Sequence, residues 1–249
     1  MIKIKTEEEL VLLRENAILV SKTLAEVGRH IAPGVTTKEL DKVAEEFIRD
    51  HGAVPGFLGY GGFPATLCIS VNDVVVHGFP SDYKLKEGDL VSVDCGTMYK
   101  GLNGDSAYTF PVGEITPEDQ ALLDATKASL YKGVEQAVHG NRVGDIGYAI
   151  QSYVENLGYS VVRDLVGHGI GHKLHESPEV PNFGRRGRGV KLQENMTICI
   201  EPMINQGVKD VFLDDNGWAV YTADHKKSAH FELMVAVKKG KPEILSTFE

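Results

Sequence analysis

The chain has 249 residues, of which 42% are hydrophobic and 24% charged, enough for a sizeable core in one large domain or two small ones. Its net charge of −9 excludes a general nucleic-acid binder, which needs an excess of cations to displace counterions from phosphates. No apolar run approaches the ~18–20 residues of a membrane span. The polar, acidic start does not read as a signal peptide, and three scattered cysteines offer neither a disulfide framework nor a zinc motif, so a cytoplasmic setting is expected.

Thr6 and Glu9 form a capping-box pattern. Leu10, Leu13, Ala17, Val20, Leu24, Val27 and Ile31 then recur at steps of three and four, which predicts one long amphipathic helix stopped by Pro33-Gly34. Thr36 and Glu39 start a second helix that ends at Gly52. Residues 56–80 read as irregular backbone and short strands, rich in glycine and aromatics. A strand over 90–95 carries Asp94 among apolar neighbours, and a turn near Lys100-Gly101 leads to a partner strand over 105–110. The pattern then restarts. Thr116-Pro117-Glu118-Asp119 opens a third helix, and a shorter fourth ends at Gly158.

Gly167-His168-Gly169-Ile170-Gly171-His172-Lys173-Leu174-His175-Glu176 sets three histidines among three glycines. Glycine costs about 1 kcal/mol against alanine inside a helix, so this stretch predicts a strand end or tight loop. A histidine held in such backbone is a candidate metal ligand or proton shuttle.

The two halves match by counting. Residues 34–52 fall on 140–158, and residues 85–94 fall on 192–201, which puts Asp94 on Glu201. Two helix-helix-strand-strand units imply an α+β fold with two pseudo-twofold halves and helices covering an antiparallel sheet. The chain reads as a single catalytic domain over 1–249, repeated internally at about 1–112 and 113–249.

Asp94, Asp105, His168, Glu201 and Glu232 all sit where a core would prefer apolar side chains. A carboxylate taken out of water without a partner costs several kcal/mol, so it neutralises, pairs or binds metal. The hairpin is expected to bring Asp94 nearly opposite Asp105, where two bare carboxylates would repel unless a proton or a cation sits between them. Four carboxylates and an imidazole suit two divalent ions, with manganese, iron, cobalt or zinc fitting the mixed oxygen and nitrogen donors. A cysteine nucleophile is the poorer reading, because Asp94 beside Cys95 raises the thiol pKa. No Gly-x-Ser-x-Gly or phosphate-binding loop is present.

These residues, together with Val76-His77-Gly78-Phe79-Pro80, Gly104-Asp105-Ser106-Ala107, Gly167-His168-Gly169-Ile170-Gly171, His175-Glu176 and Ile200-Glu201-Pro202, resemble the motifs of type I methionine aminopeptidases of the bacterial kind, with the pita-bread fold. The resemblance implies removal of N-terminal methionine from nascent proteins and peptides by two-metal-assisted hydrolysis of the first peptide bond. It implies metal ligation by Asp94, Asp105, His168, Glu201 and Glu232, with Glu201 also moving protons. It makes His77 and His175 catalytic residues that face the scissile amide. Tyr60, Cys68 and Trp218 match positions of a methionine pocket, which Phe57 joins. Asn72, Val74 and Ser228 resemble a peripheral monovalent-cation site. Phe57 stands where the family often has cysteine, Leu174 where it has phenylalanine, and Leu233-Met234 where it has His-Thr or Asn-Thr.

His172 is expected not to be a ligand; His225 and His230 stay unassigned, with His230, two residues before Glu232, expected near the site. The expected partners are peptides and nascent chains with N-terminal methionine, with no membrane and no specific nucleic acid, and the chain is expected to be a monomer. Arg185-Arg186-Gly187-Arg188 with Lys191 reads as a solvated basic loop or, in the sharper reading, a ribosome contact. Two rivals remain: an X-Pro aminopeptidase or prolidase, and a non-catalytic peptide-binding module on the same fold.

Overall fold

The computed structural model describes residues 2–248. The first half runs through α1 (Glu7–His30), α2 (Thr37–Asp50), β1 (Val54–Pro55), β2 (Leu67–Val71), β3 (Val74–Val76), β4 (Leu90–Tyr99) and β5 (Leu102–Pro111). The second half begins with α3 (Pro117–Val134), α4 (Val143–Asn156), β6 (Ser160–Val161), β7 (Gly167–Gly169), β8 (Glu176–Val180) and β9 (Thr197–Ile200). It continues with β10 (Met203–Asn205), β11 (Val211–Leu213), β12 (Val220–Thr222), β13 (Ser228–His230), β14 (Leu233–Ala236) and β15 (Glu243–Ile244).

Local chemistry explains where the helices start. Thr6 and Thr36 each accept the amide of the glutamate three residues on, and that glutamate reaches back to the threonine amide. Thr116 caps α3, with Pro117 in its first turn. Gly52 and Gly158 follow α2 and α4 with φ of 75° and 88°, a left-handed turn that glycine takes at little cost.

The two halves mirror each other in their pairing. In the first, β4 pairs with β2 and β5; in the second, β9 pairs with β7 and β14, all antiparallel. The halves meet at a bridge from Ala107 to Glu232, where the Glu232 amide donates to the Ala107 carbonyl at 2.9 Å, and again where β3 pairs with β12. The Ser106 hydroxyl adds a bond to the Glu232 carbonyl at 2.6 Å, and the Thr109 hydroxyl one to the His230 carbonyl at 2.7 Å. The smaller sheets β6–β10–β13 and β3–β12–β11 complete the β-structure.

Alternation along the strands decides which side chains meet the helices. Val91, Val93 and Cys95 pack with Val20, Leu24, Leu40 and Ile48 of α1 and α2. Ile198, Ile200, Leu233 and Val235 pack with Leu122, Leu130, Ile146 and Ile150 of α3 and α4. The intervening residues Asp94, Glu201 and Glu232 therefore point to the other face.

The hairpin register differs from the sequence expectation. Lys100 and Gly101, with φ of 51° and 79°, make a two-residue turn that pairs Tyr99 with Leu102. Asp94 is then opposite Ala107, and Asp105 is opposite Gly96. The two aspartates are diagonal neighbours on one face, not direct partners. Diagonal neighbours lie about 7–8 Å apart at the backbone and still reach each other through their side chains.

Candidate metal centre

β4 and β5 bring Asp94 and Asp105 to one side of the seam, and β7, β9 and β14 bring His168, Glu201 and Glu232 to the other. Asp105 and Glu232 are only 3% and 2% exposed. His168 Nε2 lies 3.8 Å from Asp105 Oδ2 and 3.6 Å from Glu201 Oε1. These separations exceed a good hydrogen bond and suit donors arranged around a common cation. β7 reaches this position because it runs very close to its neighbours. A Cβ on Gly167 would collide with the Cys199 carbonyl, and one on Gly169 with the Ser177 carbonyl.

The His168 tautomer follows from its partner. Its Nδ1 lies 2.9 Å from the Gly169 carbonyl, which can only accept. Nδ1 therefore carries the proton, and Nε2 turns a bare lone pair toward the acids. Burial pushes the His168 pKa down to about 3, so the ring is neutral.

Among the described residues, no lysine or arginine pairs with these acids. Burial raises Asp94 to about 6 and lifts Asp105, Glu201 and Glu232 well above the ordinary carboxylate range. Their mutual repulsion lifts the last three further. Asp94 and Asp105 interact directly, and with both carboxyls raised the pair resists carrying two charges. Among the described residues, Asp94 Oδ1, Asp105 Oδ1 and Glu232 Oε1 are buried without a hydrogen-bond partner. Buried oxygens left bare in this way are costly, and a divalent cation satisfies them. The donor set fits such an ion.

Cys199 Sγ also lies within 4.8 Å of donor atoms from Asp105, His168 and Glu232. The thiolate is the ligand form. Burial, then Glu232 and Asp105, push the Cys199 thiol up, so here it is a hydrogen-bond partner of Glu232.

The acids form the floor of a cavity of about 350 Å³. Phe57, Tyr60, Cys68, Trp218, His77 and His175 all line it. Burial lowers the His77 pKa to about 4, helped by His230 and His175 nearby. Burial lowers His175 as well. Both rings are neutral near pH 7, and each can donate an N–H into the cavity.

Several cavity residues escaped the sequence reading. Phe63, Leu165 and Met203 add apolar wall, and Asp164 and Glu179 add acid. Phe63 sits in the same glycine-aromatic run as Tyr60, which was its one signal. His230, unassigned from sequence, is buried with Nε2 unpartnered and 3.7 Å from Glu201 Oε2. Its position two residues before Glu232 already set it near the site, though without a role.

His172 faces away and meets Glu9 at 2.7 Å, and His225 meets Asp73 at 2.8 Å near the surface. Asn72 and Ser228 are adjacent, the Ser228 amide donating to the Asn72 carbonyl at 2.9 Å, and Val74 opens β3 two residues on. In the basic loop, Arg186 lies over the Tyr148 ring and Asp145 accepts the Gly187 amide.

Related proteins have the same architecture. A methionine aminopeptidase of Clostridium perfringens is 53% identical over 246 residues, covering 99% of each chain. The crystal structure of a methionine aminopeptidase from Rickettsia prowazekii superposes with a TM-score of 0.98 at 42% identity, over 99% of this chain and all of that one. A prolidase from Pyrococcus furiosus shares the fold, with a TM-score of 0.80 at 23% identity, over 99% of this chain but only 66% of its own. The family model for metallopeptidase family M24 matches residues 11–239, a span that holds His168 and all four acids, and the chain belongs to that family.

Proposed function

We propose that this chain is a methionyl aminopeptidase that removes N-terminal methionine by hydrolysing the first peptide bond. The observation that carries the reading is the convergence of His168 with four carboxyls on the floor of a cavity walled by Phe57, Tyr60, Phe63, Cys68, Leu174 and Trp218. An apolar wall with sulfur and aromatic groups suits a flexible thioether. The high identity to methionine aminopeptidases over the whole chain supports the same reading. The chain from 1 to 249 acts as one catalytic unit, since the acids come from both halves.

Asp94, Asp105, His168, Glu201 and Glu232 would hold two divalent ions, drawn from manganese, iron, cobalt or zinc. Such ions supply Lewis acidity to a carbonyl and make water acidic near neutral pH. Glu201 takes a proton from the attacking water and passes it toward the leaving amine. His175 donates to the oxyanion that develops on the scissile carbonyl. His77, neutral and deep in the cavity, holds the scissile nitrogen. A free α-amine would dock where these residues hold the ions, which would restrict cleavage to N-termini.

A monovalent cation at Asn72, Val74 and Ser228, a ribosome contact through Arg185, Arg186, Arg188 and Lys191, and action as a monomer in the cytoplasm belong to the same proposal. No described helix is long and apolar enough to cross a membrane. Reversing the charge of the basic loop should weaken ribosome co-sedimentation; unchanged binding removes that contact.

The deciding experiment strips the protein of metal, restores one divalent ion at a time, and assays Met-Ala-Ser, Ala-Ala-Ser and Ala-Pro-Ser. Cleavage of the methionyl peptide alone is expected. Preference for Ala-Pro-Ser would move the assignment to an X-Pro peptidase, and metal binding without turnover to a binding module.

A further inference from the structure

The Tyr60 hydroxyl lies 2.8 Å from Nδ1 of His175, and the two rings meet edge to face at 5.2 Å. Tyr60 is 44% exposed, yet its backbone is tightly held. Its amide donates to the Phe57 carbonyl and its carbonyl accepts from Phe63, while the Gly59 amide donates to the Phe63 carbonyl. Gly59, Gly61 and Gly62 have φ of 83°, 56° and 90°, conformations that no β-branched or bulky residue takes readily. A Cβ on Gly61 would come within 3.4 Å of Trp218. The turn thus fixes one phenol against one imidazole at the cavity edge.

We infer that Tyr60 is a positioning residue that sets the tautomer of His175, an inference that rests on the peptidase reading for its effect on turnover. A phenol O–H is a better donor than a neutral imidazole N–H, and an imidazole nitrogen is a better acceptor than a phenol oxygen. Nδ1 of His175 therefore accepts from Tyr60, and the ring's single proton stays on Nε2. His175 packs edge to face on the His168 ring at 4.3 Å, so it has little freedom to turn over. Nε2–H is then the donor that His175 offers to a developing oxyanion. In the other tautomer Nε2 would present a lone pair and repel it. The pair repeats, one layer out, the device by which the Gly169 carbonyl fixes His168.

Tyr60→Phe tests this, because it keeps the ring in the cavity wall and removes only the hydroxyl. Long-range proton–nitrogen spectra of protein labelled with 15N-histidine, metal-free and with Zn²⁺, report each tautomer, and His175→Asn assigns the His175 signal. The wild type should give the Nε2–H pattern, and Tyr60→Phe a mixture containing Nδ1–H. With Mn²⁺ restored, kcat on Met-Ala-Ser should fall about tenfold with KM changed less than about twofold, a smaller loss than for a fully wrong tautomer because water can replace the hydroxyl. Calorimetric Zn²⁺ affinity should be unchanged. An unaltered His175 spectrum in Tyr60→Phe overturns the inference, as does unaltered kcat. If the wild type cleaves no methionyl peptide, the peptidase reading fails alone, and the spectra still decide what Tyr60 does to His175.

Discussion

At Asp94, Asp105, Glu201 and Glu232 the metal-free protein keeps four carboxyls out of water, and each resists ionisation. A raised folded-state pKa gives stabilisation that is full below the ordinary carboxylate range and is lost as the pH rises through the folded value. His77 and His168 act in the opposite sense. Their depressed values, about 4 and about 3, give stability present above the ordinary histidine pKa and lost as the pH falls. The two sets oppose each other between about pH 4 and about pH 6.5, and only the acids still titrate above that. The Tm of metal-free protein should therefore decline from about pH 6.5 upward, and saturating Mn²⁺ should flatten the profile. A Tm that climbs over this interval would contradict the assignment. Two substitutions separate ligation from proton transfer. His168→Ala should weaken Zn²⁺ binding in calorimetry, and Glu201→Gln should lower kcat by about 10²-fold or more while circular dichroism stays native. Wild-type metal affinity in His168→Ala would remove it from the ligand set. These positions were legible because a charge in an apolar strand demands a reason. The tautomers of His168 and His175 were not legible, since each depends on a partner that only the fold supplies.

The loop of residues 170–176 is the element that carries His175, and it is tied down from three directions. Asn103 donates its side-chain and backbone N–H groups to the Gly171 carbonyl. Thr197 bonds the Ile170 carbonyl. Lys5 reaches Glu176 at 2.9 Å with both side chains almost fully buried, and Glu176 also accepts the Lys173 amide. The hydrogen bonds from Lys5 and Lys173 hold Glu176 below its usual pKa against the effect of burial. Lys5→Met leaves this carboxylate buried without its cation, at a cost of about 3–5 kcal/mol in a denaturant titration. Lys5→Met with Glu176→Met should cost less than Lys5→Met alone; an equal or greater loss would mean the pair matters for packing rather than charge. Sequence exposed the loop through its glycines but not its anchor, because 171 residues separate Lys5 from Glu176. The β4–β5 register was misread for a related reason. The segment fixed the turn's position, but only the left-handed φ at both Lys100 and Gly101 fixed its length.

Across the whole molecule, each half has its own apolar core, and the acids collect at the seam. The repeat was readable in residues 85–94 and 192–201 because strand patterning survives in both. The bridge from Ala107 in β5 to Glu232, just before β14, was not readable, since no turn links the two segments. Metal held across that seam by the proposed ligands would stabilise both halves together. At a hundredfold excess over Kd, binding adds about 2.7 kcal/mol, or roughly 5–10 °C for a domain of this size. Chelation should lower Tm by that amount in a single transition; two separate transitions would show that the halves unfold independently.

The bridge between Ala107 and Glu232 has a practical corollary. Asp94 and Asp105 lie before the 112–116 connection, and His168, Glu201 and Glu232 lie after it. Severing the chain at Gly113 would give two fragments, neither with the complete donor set. Ion capture by their mixture would then become a direct reporter of fragment complementation, and the enzyme a switch thrown by bringing its two pieces together.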